Sequence, residues 1–289
     1  MIKRAPRIER EISDDGIHSM HGRYMRVFSS LGCPGLSLKE TLALAARHRI
    51  EGVELRALGG TLDLPAYFRR EFGEPAALAD FVATQAVRVV GLDSSLRLVG
   101  RDEARARDEF LTFIPWAEAL GGVWLRVFDG GKSMDGRELG QAVDTIAWWR
   151  RQQAENGWRS GIMVETHDSL LTVSALRRFL DAVPQDTALL WDTHHTWKGG
   201  GEEPEQTWSV IYNNVSYIHV KDSVAKTTSR ADYSYVPPGS GTYPMARLLE
   251  ILRRERYAGV LSLEWEKQWH PELPSLDEAL VSAEKTQWW

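Results

Sequence analysis

The chain has 289 residues, 43% of them hydrophobic and 26% charged, and its formal net charge is −5. This composition is typical of a globular protein with a large core, and the acidic balance with scattered arginines excludes a basic nucleic-acid-binding surface. The single cysteine, Cys33, excludes a disulfide framework and a cysteine-ligated zinc site.

Two further features concern location. No apolar run approaches the roughly 18 residues that a membrane span needs. The first residues, MIKRAPRIEREISDDG, lack the apolar core of a secretory signal. We therefore expect a cytoplasmic protein that does not contact the membrane.

Along the chain, residues 1–24 are polar and show no periodicity, and they are predicted to form a flexible N-terminal arm. From residue 25, short apolar runs rich in β-branched residues alternate with stretches of helical apolar spacing. The predicted strands are residues 25–31, 51–56, 87–93, 123–128, 161–166, 187–192, 215–221 and 259–265. The predicted helices are residues 38–48, 75–86, 102–120, 136–156, 172–182, 204–212 and 243–256.

These units follow one another without a Gly/Ser-rich or Pro-rich linker. Alternating strands and helices predict parallel strands with right-handed crossovers, and eight such units predict one α/β domain, a closed (β/α)8 TIM barrel over residues 25–289. The alternative is an open doubly wound sheet. Against that alternative, no G-x-G-x-x-G motif follows the first strand and no P-loop occurs.

The carboxyl ends of the strands are where a barrel of this type builds its site. The last four predicted strands each carry a carboxylate or an imidazole there: Glu165, Asp192, His219 and Glu264. One such residue is commonly a helix cap, but converging buried acids need a cation. Three oxygen donors and one nitrogen donor suit Mn²⁺, Mg²⁺, Co²⁺ or Zn²⁺, with coordination positions left open.

The motifs that contain these residues resemble the xylose isomerase-like barrel superfamily of sugar phosphate isomerases and epimerases. They are GVELR at 52–56, VETHDS at 164–169, WDTHHTW at 191–197, IHVKD at 218–222, PPGSGTYP at 237–244 and LSLEWE at 261–266. The resemblance covers about residues 25–285. It implies one divalent metal ion, with Mn²⁺ favoured, held by Glu165, Asp192, His219 and Glu264.

The resemblance also implies the reaction, which is removal of a proton from the carbon next to a carbonyl of a keto-sugar or related polyol derivative. Glu165 and Glu264 are then the expected acid and base, on opposite sides of the substrate. His195, the last residue of the D-x-x-H motif, is expected to contact substrate, and His194 is expected to point into packing.

Five more residues are predicted to contact the small sugar substrate: His167, Lys221, Glu54, Trp197 and Trp265. Several have an equally weighted structural alternative. Glu54 could instead pair with an arginine, and Lys221 could form an ion pair with Asp222 or with a neighbouring strand end. Tryptophans are also ordinary core residues.

Two other functions stay open at this stage. The same base and metal could act as a lyase or dehydratase that eliminates a substituent from a 3-oxo-glycoside or an inosose. A non-catalytic binding barrel is the other alternative, although all four expected ligands are present. Leu171 stands where the family's ketose 3-epimerases carry a further Glu, so a free-ketose 3-epimerase is not favoured. The C-terminal Trp288–Trp289 pair suggests burial against another surface, and a homo-oligomer stays possible.

Overall fold

The computed structural model describes residues 24–226 and 232–289, so the predicted arm lies almost entirely outside the described residues. The strands in chain order are β1 (Met25–Ser29), β2 (Gly52–Leu55), β3 (Arg88–Val99), β4 (Trp124–Gly130), β5 (Ile162–Glu165), β6 (Ala188–Asp192), β7 (Val215–Val220), β8 (Ser223–Ala225), β9 (Tyr233–Tyr235) and β10 (Val260–Leu263). Strands β8 and β9 pair as a separate antiparallel hairpin. The other eight form a closed parallel barrel, in which β1 pairs with both β2 and β10. The predicted (β/α)8 barrel is confirmed.

The helices surround this barrel. They are α1 (Leu38–Arg47), α2 (Leu64–Phe72), α3 (Pro75–Ala83), α4 (Glu103–Leu111), α5 (Ile114–Ala119), α6 (Gly136–Asn156), α7 (Val173–Ala182), α8 (Thr193–Lys198), α9 (Pro204–Ile211), α10 (Met245–Arg254) and α11 (Leu276–Lys285). Ser37 caps α1 in a capping box with Glu40. No helix in the described part combines the length and apolar character that crossing a bilayer requires.

Two predicted elements differ from the structure. The predicted helix 102–120 is two helices, because α5 begins at Ile114 with Pro115 in its first turn, where the missing N–H of proline is tolerated. Strand β3 continues past Asp93 to Val99, although its polar Asp-Ser-Ser segment indicated a strand end. The Ser94 hydroxyl donates to the Arg126 main-chain oxygen at 2.7 Å and so supports the pairing with β4.

The barrel interior has an apolar layer directly beneath the strand ends. Met163, Leu190 and Tyr217 pack together and are fully buried. Each stands two residues before Glu165, Asp192 or His219, so the two layers lie on the same face of their strands. The strand-end acids therefore lie directly above a buried, largely apolar layer, where an unneutralised charge is costly.

The C-terminal tryptophans also belong to this fold. Trp288 and Trp289 are only 7% and 6% exposed within the chain itself, and the Trp288 ring packs near Tyr243. The expected burial of this pair is confirmed, and it is the chain's own residues that cover it.

Candidate metal centre

Glu165, Asp192, His219 and Glu264 converge at the carboxyl-terminal mouth of the barrel. Glu165 and Asp192 end β5 and β6, His219 lies in β7, and Glu264 directly follows β10. One ligand-type atom from each lies within 4.8 Å of the other three, and all four residues are buried. Glu165 Oε2 and His219 Nδ1 make no hydrogen bond among the described residues. Buried oxygen and nitrogen atoms that face one another without hydrogen bonds fit a hard divalent cation, and Arg126 Nε, 3.3 Å from Glu165 Oε2, offsets part of the charge.

His219 is oriented by a carboxylate behind it. Its Nε2 lies 2.8 Å from Glu54 Oε1, while its Nδ1 faces Glu264 Oε2 at 3.3 Å and Glu165 Oε1 at 3.6 Å. Burial alone would lower the pKa of His219, but Glu54 and Glu264 outweigh it and hold that pKa well above its usual range. Glu54 is itself fully buried and is not among the residues that line the cavity, so the structure places this predicted sugar contact behind the imidazole of His219.

Lys221 lies among the acids rather than at the cavity wall. It is fully buried, and its Nζ is 2.8 Å from Asp192 Oδ2 and 2.7 Å from Glu266 Oε1, with a further short contact to Glu264. Of the two predicted roles, the structure contains the ion pair with neighbouring strand ends. Asp222 is not its partner, because the Asp222 carboxylate accepts main-chain N–H groups of the 239–243 loop.

Above the four-residue cluster is a small cavity of about 80 Å³. Its lining residues are Leu31, Arg56, Arg126, Phe128, Glu165, His167, His195, Glu264, Glu266 and Trp269. The predicted substrate residues His167 and His195 are therefore at its wall. This places both expected acid/base carboxylates and both of these histidines around one small space.

The two predicted tryptophans lie elsewhere. Trp265 is fully buried, and its Nε1 donates to the Pro274 main-chain oxygen at 2.9 Å. Trp197 packs edge-on against His194 and Tyr243. Neither lines the cavity, so the structure does not place these two predicted stacking rings at its wall; Trp269, 46% exposed, is the tryptophan at its rim.

Comparison with known proteins agrees with this geometry. Residues 42–286 match the model of the xylose isomerase-like TIM barrel family. The chain belongs to this family. No curated protein matches it by sequence.

Several solved structures share the family fold. The IOLI protein, solved with a bound zinc atom, superposes with a TM-score of 0.71 at 19% identity, covering 91% of this chain and 96% of that one. The probable 3-DHS dehydratase AsbF from Bacillus anthracis superposes with a TM-score of 0.70 at 16% identity, covering 89% of this chain and 97% of that one. A xylose isomerase domain containing protein from Salmonella typhimurium LT2 superposes with a TM-score of 0.69 at 14% identity, covering 93% of this chain and 98% of that one. At these identities the likeness shows the fold alone.

The two cavity histidines of this family member differ in charge. Burial, reinforced by Lys221 and His167, holds the pKa of His195 well below its usual range, so His195 is neutral at pH 7. Burial also lowers the pKa of His167, but Asp168 and Glu165 outweigh it and raise that pKa to about 9. A neutral imidazole and an imidazolium therefore stand side by side, with ring centroids 4.7 Å apart.

The two expected acid/base carboxylates are both ionised. Burial would raise the pKa of Glu165, but Arg126, with Nε 3.3 Å from Glu165 Oε2, is the main group that brings it to about 2. Lys221 and His219 likewise outweigh burial at Glu264 and hold its pKa well below the usual range. Each carboxylate can therefore accept a proton.

Six residues of the cavity wall were not among the predicted site residues: Leu31, Arg56, Arg126, Phe128, Glu266 and Trp269. Arg56 and Glu266 follow the ends of β2 and β10, where a barrel builds its site, whereas Arg126 lies inside β4. His194 lies where expected, fully buried in packing, with its Nε2 2.8 Å from Ser223 Oγ.

Proposed function

We propose that this chain is a divalent-metal-dependent isomerase or epimerase that acts on a keto-sugar or related polyol derivative. The observation that carries the proposal is the convergence of Glu165, Asp192, His219 and Glu264 below a cavity that both glutamates line. The zinc atom in the IOLI structure supports a metal ion in a barrel of this fold. We propose Mn²⁺ as the ion, since a mixed oxygen and nitrogen donor set suits it.

The reaction is proton removal from the carbon next to the carbonyl. A bound divalent ion would supply a Lewis acid for the carbonyl oxygen. Glu165 and Glu264 are ionised, so one takes the proton at a carboxylate oxygen. The other can return a proton to the substrate only after it has itself taken one from water, to which the first carboxyl group then loses its proton. His167, as a cation, donates a hydrogen bond to a substrate oxygen, and neutral His195 binds a second hydroxyl.

A lyase is the second candidate, and one observation favours it. Trp269 stands at the cavity rim with almost half of its surface exposed, so its ring could cover an aglycone outside the buried part of the site. Removal of the same proton beside a 3-oxo group would then be followed by loss of the substituent on the next carbon. The carboxylates that carry the proton are the same in both reactions.

Incubation of the Mn²⁺-loaded protein in D₂O with free ketoses and with 3-oxo-glucosides separates the candidates. Deuterium in the recovered ketose, without elimination, is the expected result. Release of the aglycone from a 3-oxo-glucoside, with no exchange into ketoses, would replace the isomerase by the lyase. A chain that holds less than stoichiometric metal and does neither would be a binding protein.

The same assay tests the two glutamates. Glu165→Gln and Glu264→Gln each remove a proton acceptor and a metal ligand, and we expect turnover to fall by at least about 10³-fold, within the range for acid/base groups. Glu284→Gln, at an exposed position of α11, is the matched control and should leave the rate unchanged. Turnover that survives both cavity substitutions would exclude this mechanism.

A further inference from the structure

Arg56 is a buried cation at the cavity wall that has no carboxylate partner. It is 6% exposed, and its guanidinium donates to two neutral oxygens, Ser95 Oγ at 3.0 Å and the Asp93 main-chain oxygen at 3.4 Å. Across residues 24–226 and 232–289, no carboxylate oxygen lies within 4.0 Å of its side-chain nitrogens. A buried charge without a counter-ion is costly. Arg56 is therefore suited to an anion that arrives from the cavity.

Arg126 is the second arginine of the same wall. It is 2% exposed, and its guanidinium carbon lies 3.8 Å from the centre of the Phe128 ring, which fixes the plane of the group. Its Nε and Nη2 face Glu165 and Asp93, at 3.3 Å and 3.7 Å. Its Nη1 makes no hydrogen bond among the described residues. Arg126 lines the cavity, and Nη1 is its one side-chain nitrogen with neither a hydrogen bond nor a carboxylate within 4.0 Å among the described residues.

The two arginines lie on one side of the barrel mouth. Arg56 follows β2 and Arg126 lies in β4, whereas the four-residue cluster is carried by β5, β6, β7 and β10. Arg126 adjoins Glu165 of the cluster, and both arginines line the same cavity as Glu165 and Glu264, so one small molecule there can contact the cluster and the arginines together.

We propose that Arg56 and Arg126 bind a carboxylate of the substrate, so that the substrate is a polyhydroxylated keto acid. This inference rests on the proposed function, because it assigns the carbonyl end of that acid to the four-residue cluster. Guanidinium groups bind carboxylate and phosphate alike through paired N–H donors. A carboxylate is favoured because Glu165, Glu264 and Glu266 also line the cavity and would repel a phosphate dianion more strongly.

Three probes of the same carbon skeleton test the assignment: D-gluconate, neutral D-glucitol and D-glucitol 6-phosphate. Calorimetric titration of each into the Mn²⁺-loaded protein should show gluconate binding at least tenfold more tightly than glucitol. Arg56→Gln should abolish that preference and leave glucitol binding unchanged, while Arg56→Lys should keep part of it. Arg105→Gln, at an arginine whose side chain is 77% exposed, is the matched control. Arg126→Gln should weaken the preference in the same direction.

Equal binding of gluconate and glucitol, or an unchanged preference in Arg56→Gln, would overturn the anion site. Glucitol 6-phosphate binding tighter than gluconate, with the same dependence on Arg56, would overturn the carboxylate in favour of a phosphate. A separate Mn²⁺ titration isolates the proposed function. A chain that binds no Mn²⁺ but keeps the Arg56-dependent preference would contradict the metal mechanism alone.

Discussion

His219 presents one ring nitrogen to the four-residue cluster, while the other lies 2.8 Å from Glu54 Oε1. A carboxylate in this position orients a metal-binding imidazole and increases its basicity. Glu54→Gln keeps the shape of the side chain and removes its charge. We expect the affinity for Mn²⁺, measured by isothermal titration calorimetry, to fall about 10- to 100-fold, which is the usual effect of losing such a partner.

The control for this experiment is again Glu284→Gln, which should leave the affinity for Mn²⁺ as it is in the wild type. Glu54 is fully buried, so a near-ultraviolet circular dichroism spectrum must show that the core of the variant is intact. An intact Glu54→Gln variant with wild-type Mn²⁺ affinity would mean that the carboxylate does not act through His219.

At the scale of elements, one carboxylate of α5 holds the segment that leads into β5. Glu118 accepts hydrogen bonds from the Arg159 main-chain N–H at 3.0 Å, the Ser160 main-chain N–H at 2.7 Å and the Ser160 hydroxyl at 2.6 Å. Burial raises the pKa of Glu118, but these bonds outweigh it and lower that pKa below 4.5. Glu118→Gln should reduce the free energy of unfolding at pH 7 by about 1–3 kcal/mol, the effect of losing such bonds to a charged group.

The sign of the pH dependence follows from the lowered pKa. The stabilisation by Glu118 is fully present above the unfolded-state pKa and is lost as the pH falls through the lower, folded-state pKa. The difference between wild type and Glu118→Gln in urea unfolding should therefore be largest at pH 6–7 and shrink below pH 4.5. Glu109→Gln, at a surface ion pair, should change stability far less. A pH-independent difference would show that shape, not charge, is lost.

Strand and helix boundaries were predictable where one periodicity dominates. Apolar runs located all eight barrel strands, and α6 begins and ends at the predicted residues. Helix α8 was missed because its residues, THHTWK, have no apolar stripe. It begins instead because Asp192 Oδ1 accepts the main-chain N–H groups of His194 and His195, both at 2.9 Å, while Oδ2 faces Lys221. A sequence shows that an acid ends a strand, but it does not show that one carboxylate oxygen caps the next helix while the other contacts a lysine.

At the scale of the whole molecule, barrel closure determines which strand-end residues reach the cavity. The convergence of the four expected metal ligands could be predicted, because the parallel strands end at one mouth. Glu54, Lys221 and Trp265 are buried and do not line the cavity. Their side-chain positions depend on the side chains of neighbouring strands, which the sequence of one strand does not show. Arg56 and Arg126 carried no motif that separates a cavity arginine from a surface one.

Closure also concentrates negative charge, which links metal binding to the stability of the entire barrel. Glu165, Asp192 and Glu264 come from distant parts of the chain and meet only in the folded state, where Lys221 neutralises part of their charge. An ion that binds only the folded chain stabilises it by about 2.7 kcal/mol at 100 times its Kd. For a chain of this size, we expect the unfolding midpoint to rise by roughly 5 °C or more with Mn²⁺ and to fall back with EDTA.

Differential scanning calorimetry of the wild type and Glu264→Gln, each with Mn²⁺ and with EDTA, tests this link. The variant loses a ligand at the centre of the cluster, so its rise with Mn²⁺ should be much smaller than that of the wild type. Glu109→Gln, on the surface, should show the full rise. An equal rise of the unfolding midpoint in all three proteins would place the bound Mn²⁺ elsewhere on the chain, because a site that includes Glu264 must bind Mn²⁺ more weakly in the Glu264→Gln variant.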